Sequence, residues 1–210
     1  ASDKVIILLQ SSVSVEIGTL KNDPEIDAIL WCGVPGNYGF LGIADILCGK
    51  VSPSGGLFDI FTAYNMSAPA MQNFGRLYYS NTEGTVQRTG GILGFKPGAY
   101  AIEAEGIYVG YRYYETRYYD AVAGVHNATS ATGAYATKDA WSYADEVTYG
   151  FGFGLSYTTF SFEMGEPTWD VQIEDGTPNV YVTFPVTVTN TGKVAGKTPV
   201  QIYGQAPYIE

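Results

Sequence analysis

The chain has 210 residues, a formal net charge of -10 and 46% hydrophobic residues. This composition is typical of a loop-rich globular protein with one large or two modest domains, and it excludes a disordered or fibrous chain. Because the charge is acidic and no lysine- or arginine-rich run is present, nucleic acids and anionic membranes are disfavoured as partners.

Neither a membrane segment nor a cofactor site is indicated. No apolar run approaches membrane-spanning length, and Ala1-Ser-Asp-Lys4 is not typical of a signal peptide. We therefore expect a soluble protein without a membrane partner, either cytoplasmic or secreted. Cys32 follows an apolar run and Cys48 ends a helical pattern, which favours two buried thiols over a disulfide. His126 has no second ligand at a recognisable spacing, so no metal ion or other cofactor is expected.

Residues 4–61 show the pattern of an α/β fold. Two continuous apolar runs, at residues 5–9 and 28–32, are typical of strands buried on both faces of a parallel sheet. Residues 40–47 are predicted as a helix that ends near Gly49. The apolar stripe of this helix consists of Phe40, Ile43, Ala44 and Leu47. Residues 58–61 follow as a further strand, and the order strand, helix, strand implies a right-handed crossover.

A tyrosine-rich run at residues 105–115 has the alternation of a strand. The two alternating sets are Ile107, Val109 and Tyr111 on one side, and Tyr108, Gly110 and Arg112 on the other. Aromatic rings on such a strand can stack on the pyranose rings of a sugar, or they can cover a half-buried sheet or an interface. Both interpretations remain open.

Two long connections flank this run. Residues 62–104 and 120–147 are rich in Gly, Ala, Ser, Thr, Tyr and Asn, and they lack sustained periodicity. Connections of this length are uncommon in a compact domain, so we expect functional loops or mobile segments here.

The segment at residues 150–160 begins with three alternating glycines. Gly150, Gly152 and Gly154 let the backbone turn with little steric restriction. The large aromatic residues between and after them suit a position between two packed bodies. We therefore interpret residues 151–160 as a domain junction.

Residues 160–210 are predicted to be entirely β. Strands are expected at residues 180–189 and 198–203, and residues 190–192 form a turn between them. The prolines that mark strand edges or irregularities are Pro185 and Pro199.

Several residues resemble parts of catalytic motifs without completing one. Glu103 and Glu105 lie two residues apart, which on a strand places both carboxylates on one face, but such an exposed face is more often solvated than catalytic. The glycines at residues 150–154 lack the strand before and the helix after them that a phosphate loop requires. Ser156 is not part of a nucleophile elbow.

Several stretches together resemble glycoside hydrolase family 3, the family of β-glucosidases and β-xylosidases. Residues 150–160 and 186–196 are similar to the end of the family's α/β sandwich domain and the start of its fibronectin type III-like domain. Residues 105–115 are similar to a run that the family has before the glycine-rich corner. In a turn typical of the family, Pro53-Ser-Gly55 and Leu57 match, whereas Gly56 replaces a usual basic residue and Phe58 a usual proline.

The resemblance implies an open α/β sheet followed by part of an all-β sandwich. Residues 1–150 correspond to the C-terminal part of the α/β sandwich domain, with insertions at residues 62–104 and 120–147. Residues 151–160 form the junction, and residues 161–210 form the N-terminal part of the fibronectin type III-like domain. Such a sandwich needs about seven strands in roughly 100 residues, so its last strands are expected outside this chain.

The resemblance also implies part of a retaining glycosidase, with a β-glucosidase as the leading expectation. Such an enzyme needs two carboxyl groups about 5–5.5 Å apart. In the family, the nucleophile is an aspartate in a Ser-Asp-Trp context on a barrel, and the acid/base glutamate precedes the strand that matches residues 4–10. Neither motif is in this chain, so we assign no catalytic residue, and the substrate-binding residues are unknown at this point.

The chain is therefore expected to supply scaffold and one wall of the active-site cleft, and to be inactive alone. Its expected partners are the remainder of the enzyme and a β-linked glucoside or oligosaccharide, and a homo-oligomer is a further option. Residues 62–104 and 120–147 are expected to approach the substrate or a second subunit. The alternative is a non-catalytic carbohydrate-binding or interaction module.

Overall fold

The computed structural model describes residues 3–75, 77–78, 80, 99–100, 102–126, 128–129 and 140–204. This part of the chain contains mixed helices and strands, and its strands form two-stranded sheets. Within it, no helix combines the length and the apolar character needed to cross a membrane. The predicted loops at residues 62–104 and 120–147 lie partly outside the described residues.

The chain divides into two compact units. The first consists of Ala1–Val34 and Leu57–Gly152, and the second of Pro35–Gly56 and Phe153–Glu210. The predicted domain limits at residues 150 and 161 stay a prediction.

The first unit begins with the parallel pair of strands that the sequence predicts. Strands β1 (Ile6–Leu9) and β2 (Ala28–Trp31) pair in register from Ile6 with Ala28 onwards, and helix α1 (Gly18–Lys21) lies between them in the chain. The prediction of burial on both faces is wrong for this structure, because Ile6 and Leu8 are 45% and 41% exposed. Ile6 and Leu8 alternate with Ile7 and Leu9, so they share one face of the pair, and this is the face that is exposed.

The strand predicted at residues 58–61 is shorter and pairs differently. Strand β3 (Phe61–Thr62) pairs antiparallel with β6 (Val147–Tyr149), so no right-handed crossover onto the parallel pair forms among the described residues. The Asp59 carboxylate accepts a hydrogen bond from the N–H of Ile60 at 2.8 Å. That N–H is therefore not available to a strand ladder.

The core of the first unit is small and aromatic. The buried residues Ile60, Tyr114 and Val147 form its centre, and partly buried tyrosines pack around them. The remaining elements of this unit are the 3₁₀ helix η1 (Asn65–Ser67), α3 (Pro69–Gln72), β4 (Leu77–Tyr78), β5 (Ala99–Tyr100), α4 (Tyr111–Ala123) and α5 (Tyr143–Glu146). Several of them fall inside the predicted loops, which are therefore not structureless throughout.

The strand predicted at residues 105–115 is wrong, because the described structure has turns followed by helix α4. Tyr111, Tyr114 and Tyr118 are spaced as on one face of a helix, and this competes with the alternation that suggests a strand. Gly110 directly before the helix has φ 62° and ψ −130°, values that exclude regular strand geometry. The helix ends at Gly124 in the left-handed conformation.

The second unit contains helix α2 (Gly36–Leu47), which is longer than predicted and is followed by Gly49 at φ 72°. Its predicted apolar stripe is only partly buried, since Ile43 is 7% exposed whereas Phe40 and Leu47 are 46% and 43% exposed. Tyr157 makes two of the hydrogen bonds that attach residues 35–56 to this unit. The N–H of Tyr157 donates to the Ser52 hydroxyl at 3.0 Å, and the Tyr157 hydroxyl donates to the Ile46 carbonyl at 2.9 Å.

Four antiparallel strands complete the second unit. Strand β7 (Phe160–Met164) pairs with β10 (Val186–Asn190), and β8 (Thr168–Glu174) pairs with β9 (Thr177–Thr183). The single strand predicted at residues 180–189 is thus two strands that pair with different partners. The break falls at Phe184-Pro185, where proline has no N–H to donate to a ladder.

The residues after β10 contain the predicted turn but not the predicted strand. The strand predicted at residues 198–203 is wrong, because these residues are described without strand structure and have no strand partner among the described residues. The turn at residues 190–192 is confirmed. The Asn190 side-chain carbonyl accepts the N–H of Gly192 at 3.0 Å and the hydroxyl of Thr158 at 2.6 Å.

Candidate functional site

Helix α4 is held at its start by a carboxylate from far away in the chain. The Asp59 Oδ1 atom accepts the N–H of Tyr111 at 3.2 Å, and its Oδ2 atom accepts the Ser14 hydroxyl at 3.3 Å. A negative charge at this position also suits the positive end of the helix dipole. A Cβ atom on Gly110 would lie 2.9 Å from Asp59 Oδ1, so a glycine is required for this approach.

The face of α4 toward the core carries a buried pair of hydroxyls. Tyr114 is 3% exposed, and its hydroxyl and the Ser67 hydroxyl are 2.7 Å apart. Burial raises the pKa of the Tyr114 phenol well above its ordinary value, and the negative charge of the buried Glu146 adds to this effect. Tyr114 is therefore a neutral structural group at physiological pH.

A second group of side chains lies farther along the helix and reaches the surface. The Tyr143 hydroxyl donates to Glu115 Oε1 at 2.6 Å, and the Tyr143 ring lies 5.2 Å from Tyr118 and 6.4 Å from Trp141. Glu115 and Tyr118 are exposed, whereas Trp141 is buried. Burial, followed by the hydrogen bond to Glu115, raises the pKa of Tyr143, so this phenol keeps its proton.

Arg117 links α4 to the segment that contains Ala128 and Trp141. Its Nη1 atom donates to the Tyr113 hydroxyl at 2.6 Å and its Nε atom donates to the Ala128 carbonyl at 2.9 Å. The guanidinium lies 4.8 Å from the centre of the Trp141 ring, a cation–π distance. The backbone N–H of Trp141 donates to the Thr129 carbonyl at 2.8 Å. These contacts fix Trp141, which in turn supports Tyr143.

The predicted carboxylate pair is not on a strand. Glu103 and Glu105 lie on successive turns, in which their carbonyls accept the N–H groups of Gly106 at 3.2 Å and Tyr108 at 2.9 Å. Two residues on turns do not share a sheet face, so the strand argument for a common face is wrong. The left-handed φ of 54° at Gly106 explains the turn.

The glycine-rich segment is a backbone corner. Gly152 has φ 79°, and its N–H donates to the Leu57 carbonyl at 2.6 Å. A Cβ atom on Gly154 would overlap the Gly55 carbonyl. Strand β6 ends directly before Gly150, so the prediction that no strand precedes these glycines is wrong, but the next regular element is strand β7, not a helix. The Ser156 hydroxyl pairs with that of Ser52 at 2.7 Å. Neither a phosphate loop nor an activated serine is formed by these contacts.

The cysteines differ from the prediction in one respect. Cys32 is half-buried and its thiol donates to the Leu9 carbonyl at 3.3 Å, but Cys48 is exposed, because it follows the end of α2. Both cysteines are free thiols. Within the described residues, no three His, Cys, Asp or Glu side chains are grouped so that they could hold a metal ion.

The structure brings Tyr118 and Tyr143 together with Glu115. Glu115 ends the tyrosine-rich run, but no sequence motif identifies Tyr118 or Tyr143. The helical spacing of Tyr111, Tyr114 and Tyr118 is the local signal that could have indicated the helix. No local signal connects Tyr143 to Glu115, since the two are 28 residues apart in the chain.

Comparison with known proteins gives a consistent set of relatives. Residues 1–157 match the family described as the glycosyl hydrolase family 3 C-terminal domain. The chain is 32% identical to β-glucosidase A of Butyrivibrio fibrisolvens, over 97% of this chain and 20% of the relative. It is 33% identical to the probable β-glucosidase I of Emericella nidulans, over 97% of this chain and 18% of the relative. The chain thus spans about a fifth of the length of these relatives.

Solved structures give the same result at the level of the fold. A β-glucosidase from Paenibacillus barengoltzii is similar with a TM-score of 0.53 and 25% identity, over 90% of this chain and 15% of that one. A β-D-glucoside glucohydrolase from Trichoderma reesei has a TM-score of 0.51 at 21% identity, over 93% of this chain and 22% of that one, and this likeness concerns the fold alone.

Proposed function

Since this chain belongs to the family of glycosyl hydrolase family 3 C-terminal domains, we propose that it is part of a retaining β-glucosidase. The observation that carries the proposal is the family match over residues 1–157, together with relatives that are named β-glucosidases. In this proposal the parent protein releases terminal β-linked glucose. The chain contributes scaffold and one wall of the cleft, and the nucleophile and the acid/base lie elsewhere in the parent.

Two of the described carboxylates, those of Asp59 and Glu115, have structural contacts that support a scaffold role for this chain. A retaining enzyme needs two carboxyl groups about 5–5.5 Å apart, one of them as nucleophile. Glu103 and Glu105 lie on turns. The Asp59 carboxylate accepts the N–H of Tyr111 at the start of α4. Glu115 accepts the Tyr143 hydroxyl, which fixes its orientation.

We also propose the finer fold that the family implies. Residues 1–150 form part of an α/β sandwich domain, which is supported by the parallel pairing of β1 and β2. Residues 161–210 form part of a fibronectin type III-like sandwich, which is supported by the antiparallel pairs β7–β10 and β8–β9. The remainder of the parent, or a second copy of the chain, covers the exposed apolar faces of these strands.

A non-catalytic carbohydrate-binding module is the second candidate function. The specific observation in its favour is the exposed aromatic ring of Tyr118 beside the carboxylate of Glu115, a combination that suits a neutral sugar. Such a module would bind glycans without hydrolysing them. The two candidates therefore differ in whether the parent forms a covalent sugar intermediate.

A mechanism-based label separates these candidates. A 2-deoxy-2-fluoro-β-glucoside with a good leaving group should inactivate the full-length parent by trapping the covalent glycosyl-enzyme of a retaining mechanism. We expect one label per protein, on a carboxylate outside residues 1–210, as located by peptide mass spectrometry. A label within residues 1–210 would contradict the scaffold role. Absence of both labelling and hydrolysis would favour the binding module.

A further inference from the structure

We propose that Glu115, Tyr118 and Tyr143 form a carbohydrate-binding site on helix α4 that takes a neutral β-linked glucose unit of an oligosaccharide. The choice of sugar rests on the proposed function, whereas the site itself rests on the geometry of the three side chains. All three belong to the first unit of the chain. No motif in the sequence assigns this group.

The first component of the site is an aromatic surface. The Tyr118 side chain is 48% exposed, and its ring lies 5.2 Å from that of Tyr143 at an interplanar angle of 59°. Tyr143 lies against Trp141, which is buried and held by Arg117. The exposed Tyr118 ring therefore packs against Tyr143, whose position is fixed by Trp141 and Arg117. A fixed ring of this kind can stack on the C–H face of a pyranose with little loss of conformational entropy.

The second component is an oriented carboxylate beside that ring. Glu115 precedes Tyr118 by three residues, so both side chains lie on the same side of the helix. One oxygen of Glu115 accepts the Tyr143 hydroxyl at 2.6 Å. A carboxylate has about four acceptor positions, so the others can accept hydroxyl groups of a sugar that lies on the Tyr118 ring.

The charge of the site selects among sugars. Tyr143 keeps its proton because burial and the Glu115 carboxylate raise its pKa, so it remains the donor of its hydrogen bond to Glu115. The chain as a whole carries a net charge of -10. Uronic acids and sulfated sugars are therefore repelled, whereas a neutral sugar supplies the hydroxyl donors that the carboxylate accepts.

Helix α4 also provides a matched control. Tyr119 is 48% exposed, as Tyr118 is, and lies four residues after Glu115, but it is rotated by about 100° from Tyr118 around the helix. Among the described residues of α4, the Tyr118 ring contacts the Tyr143 ring and the Tyr119 ring does not. A general effect of exposed tyrosines would be the same for both residues. A specific site predicts a difference between them.

The test is affinity electrophoresis of the full-length parent in native gels that contain a soluble mixed-linkage β-glucan. We expect the β-glucan to retard the wild-type protein, and Tyr118→Ala to weaken binding by about tenfold. Tyr119→Ala should bind as the wild type does. Glu115→Ala should weaken binding as well, and Tyr118→Phe, which keeps the aromatic ring, should retain it. Thermal melting of each variant verifies that it is folded.

Three outcomes would overturn the proposal. These are absence of retardation of the wild type, equal binding by the wild type and folded Tyr118→Ala, and equal weakening by Tyr118→Ala and Tyr119→Ala. Hydrolysis of an aryl β-glucoside is measured on the same samples. Activity without β-glucan binding would refute this site but not the proposed function. Binding without activity would refute the proposed function but not this site.

Discussion

Gly152 has a backbone conformation that other residues adopt only with strain. Its φ is 79° and its N–H donates to the Leu57 carbonyl, so the corner cannot relax without losing this hydrogen bond. We predict that Gly152→Val destabilises the folded protein by about 1–3 kcal/mol. Gly42→Ala is the control, because Gly42 lies inside α2 with open space around it. We expect this substitution to stabilise the folded protein by about 0.5–1 kcal/mol. Equal melting temperatures for the wild type and Gly152→Val would contradict the strain argument.

Tyr114 should make the fold sensitive to alkaline pH. Because burial raises its pKa in the folded state, the neutral phenol contributes stability that is fully present below the unfolded pKa of about 10. This stability is lost as the pH rises above that value toward the folded pKa. We predict that the free energy of unfolding, measured by denaturant titration, falls less steeply between pH 9 and 11 in Tyr114→Phe than in the wild type. Tyr118→Phe, at an exposed position, should behave as the wild type. Equal slopes for Tyr114→Phe and the wild type would contradict this account.

At the scale of elements, the start of helix α4 depends on Asp59, 52 residues away. We predict that Asp59→Ala destabilises the protein by about 0.5–2 kcal/mol, the usual cost of losing a helix cap. Amide hydrogen exchange should then accelerate at Tyr111 and in the first turn of the helix. Asp59→Asn keeps an acceptor oxygen and should lose less. Unchanged exchange at Tyr111 in Asp59→Ala would show that the helix starts without this carboxylate.

The elements that the sequence predicts correctly are those with local signals. The apolar runs at residues 5–9 and 28–32 indicate β1 and β2, and the stripe with its terminal glycine indicates α2. The strand predicted for the tyrosine-rich run is wrong because Gly110 and Asp59 determine the structure there, and Asp59 lies far away in the sequence. The candidate site on α4 depends likewise on Tyr143, which no local pattern connects with Glu115.

The hairpin of β8 and β9 shows both what local patterns indicate and what they leave open. Its turn, Asp175-Gly176, has φ values of 48° and 78°, as in the tight turns favoured by an aspartate-glycine pair. One face carries apolar residues, among which Trp169, Val171 and Ile173 are 70%, 60% and 75% exposed. Alternation fixes the register of such a hairpin, but it does not identify the surface that covers the apolar face.

At the scale of the whole molecule, exposed apolar surface predicts that residues 1–210 are not an autonomous folding unit. Exposed faces occur in both units, on β1 in the first and on β8 and α2 in the second. Each few hundred Å² left uncovered forgoes several kcal/mol at about 25 cal/mol per Å², which is comparable to the stability of a domain at roughly 5–15 kcal/mol. Sedimentation and amide hydrogen exchange on the isolated chain test this. A monomer with strong protection in both β1 and β10 would contradict it.

We propose that this chain is the scaffold of a β-glucosidase whose catalytic carboxylates lie outside residues 1–210. The most direct measurement is hydrolysis of an aryl β-glucoside by the purified chain, by the remainder of the parent, and by their mixture. We predict no hydrolysis by the chain alone and hydrolysis by the full-length parent, with the mixture active where the two parts reassemble. Hydrolysis by the purified chain alone would contradict the proposed scaffold role.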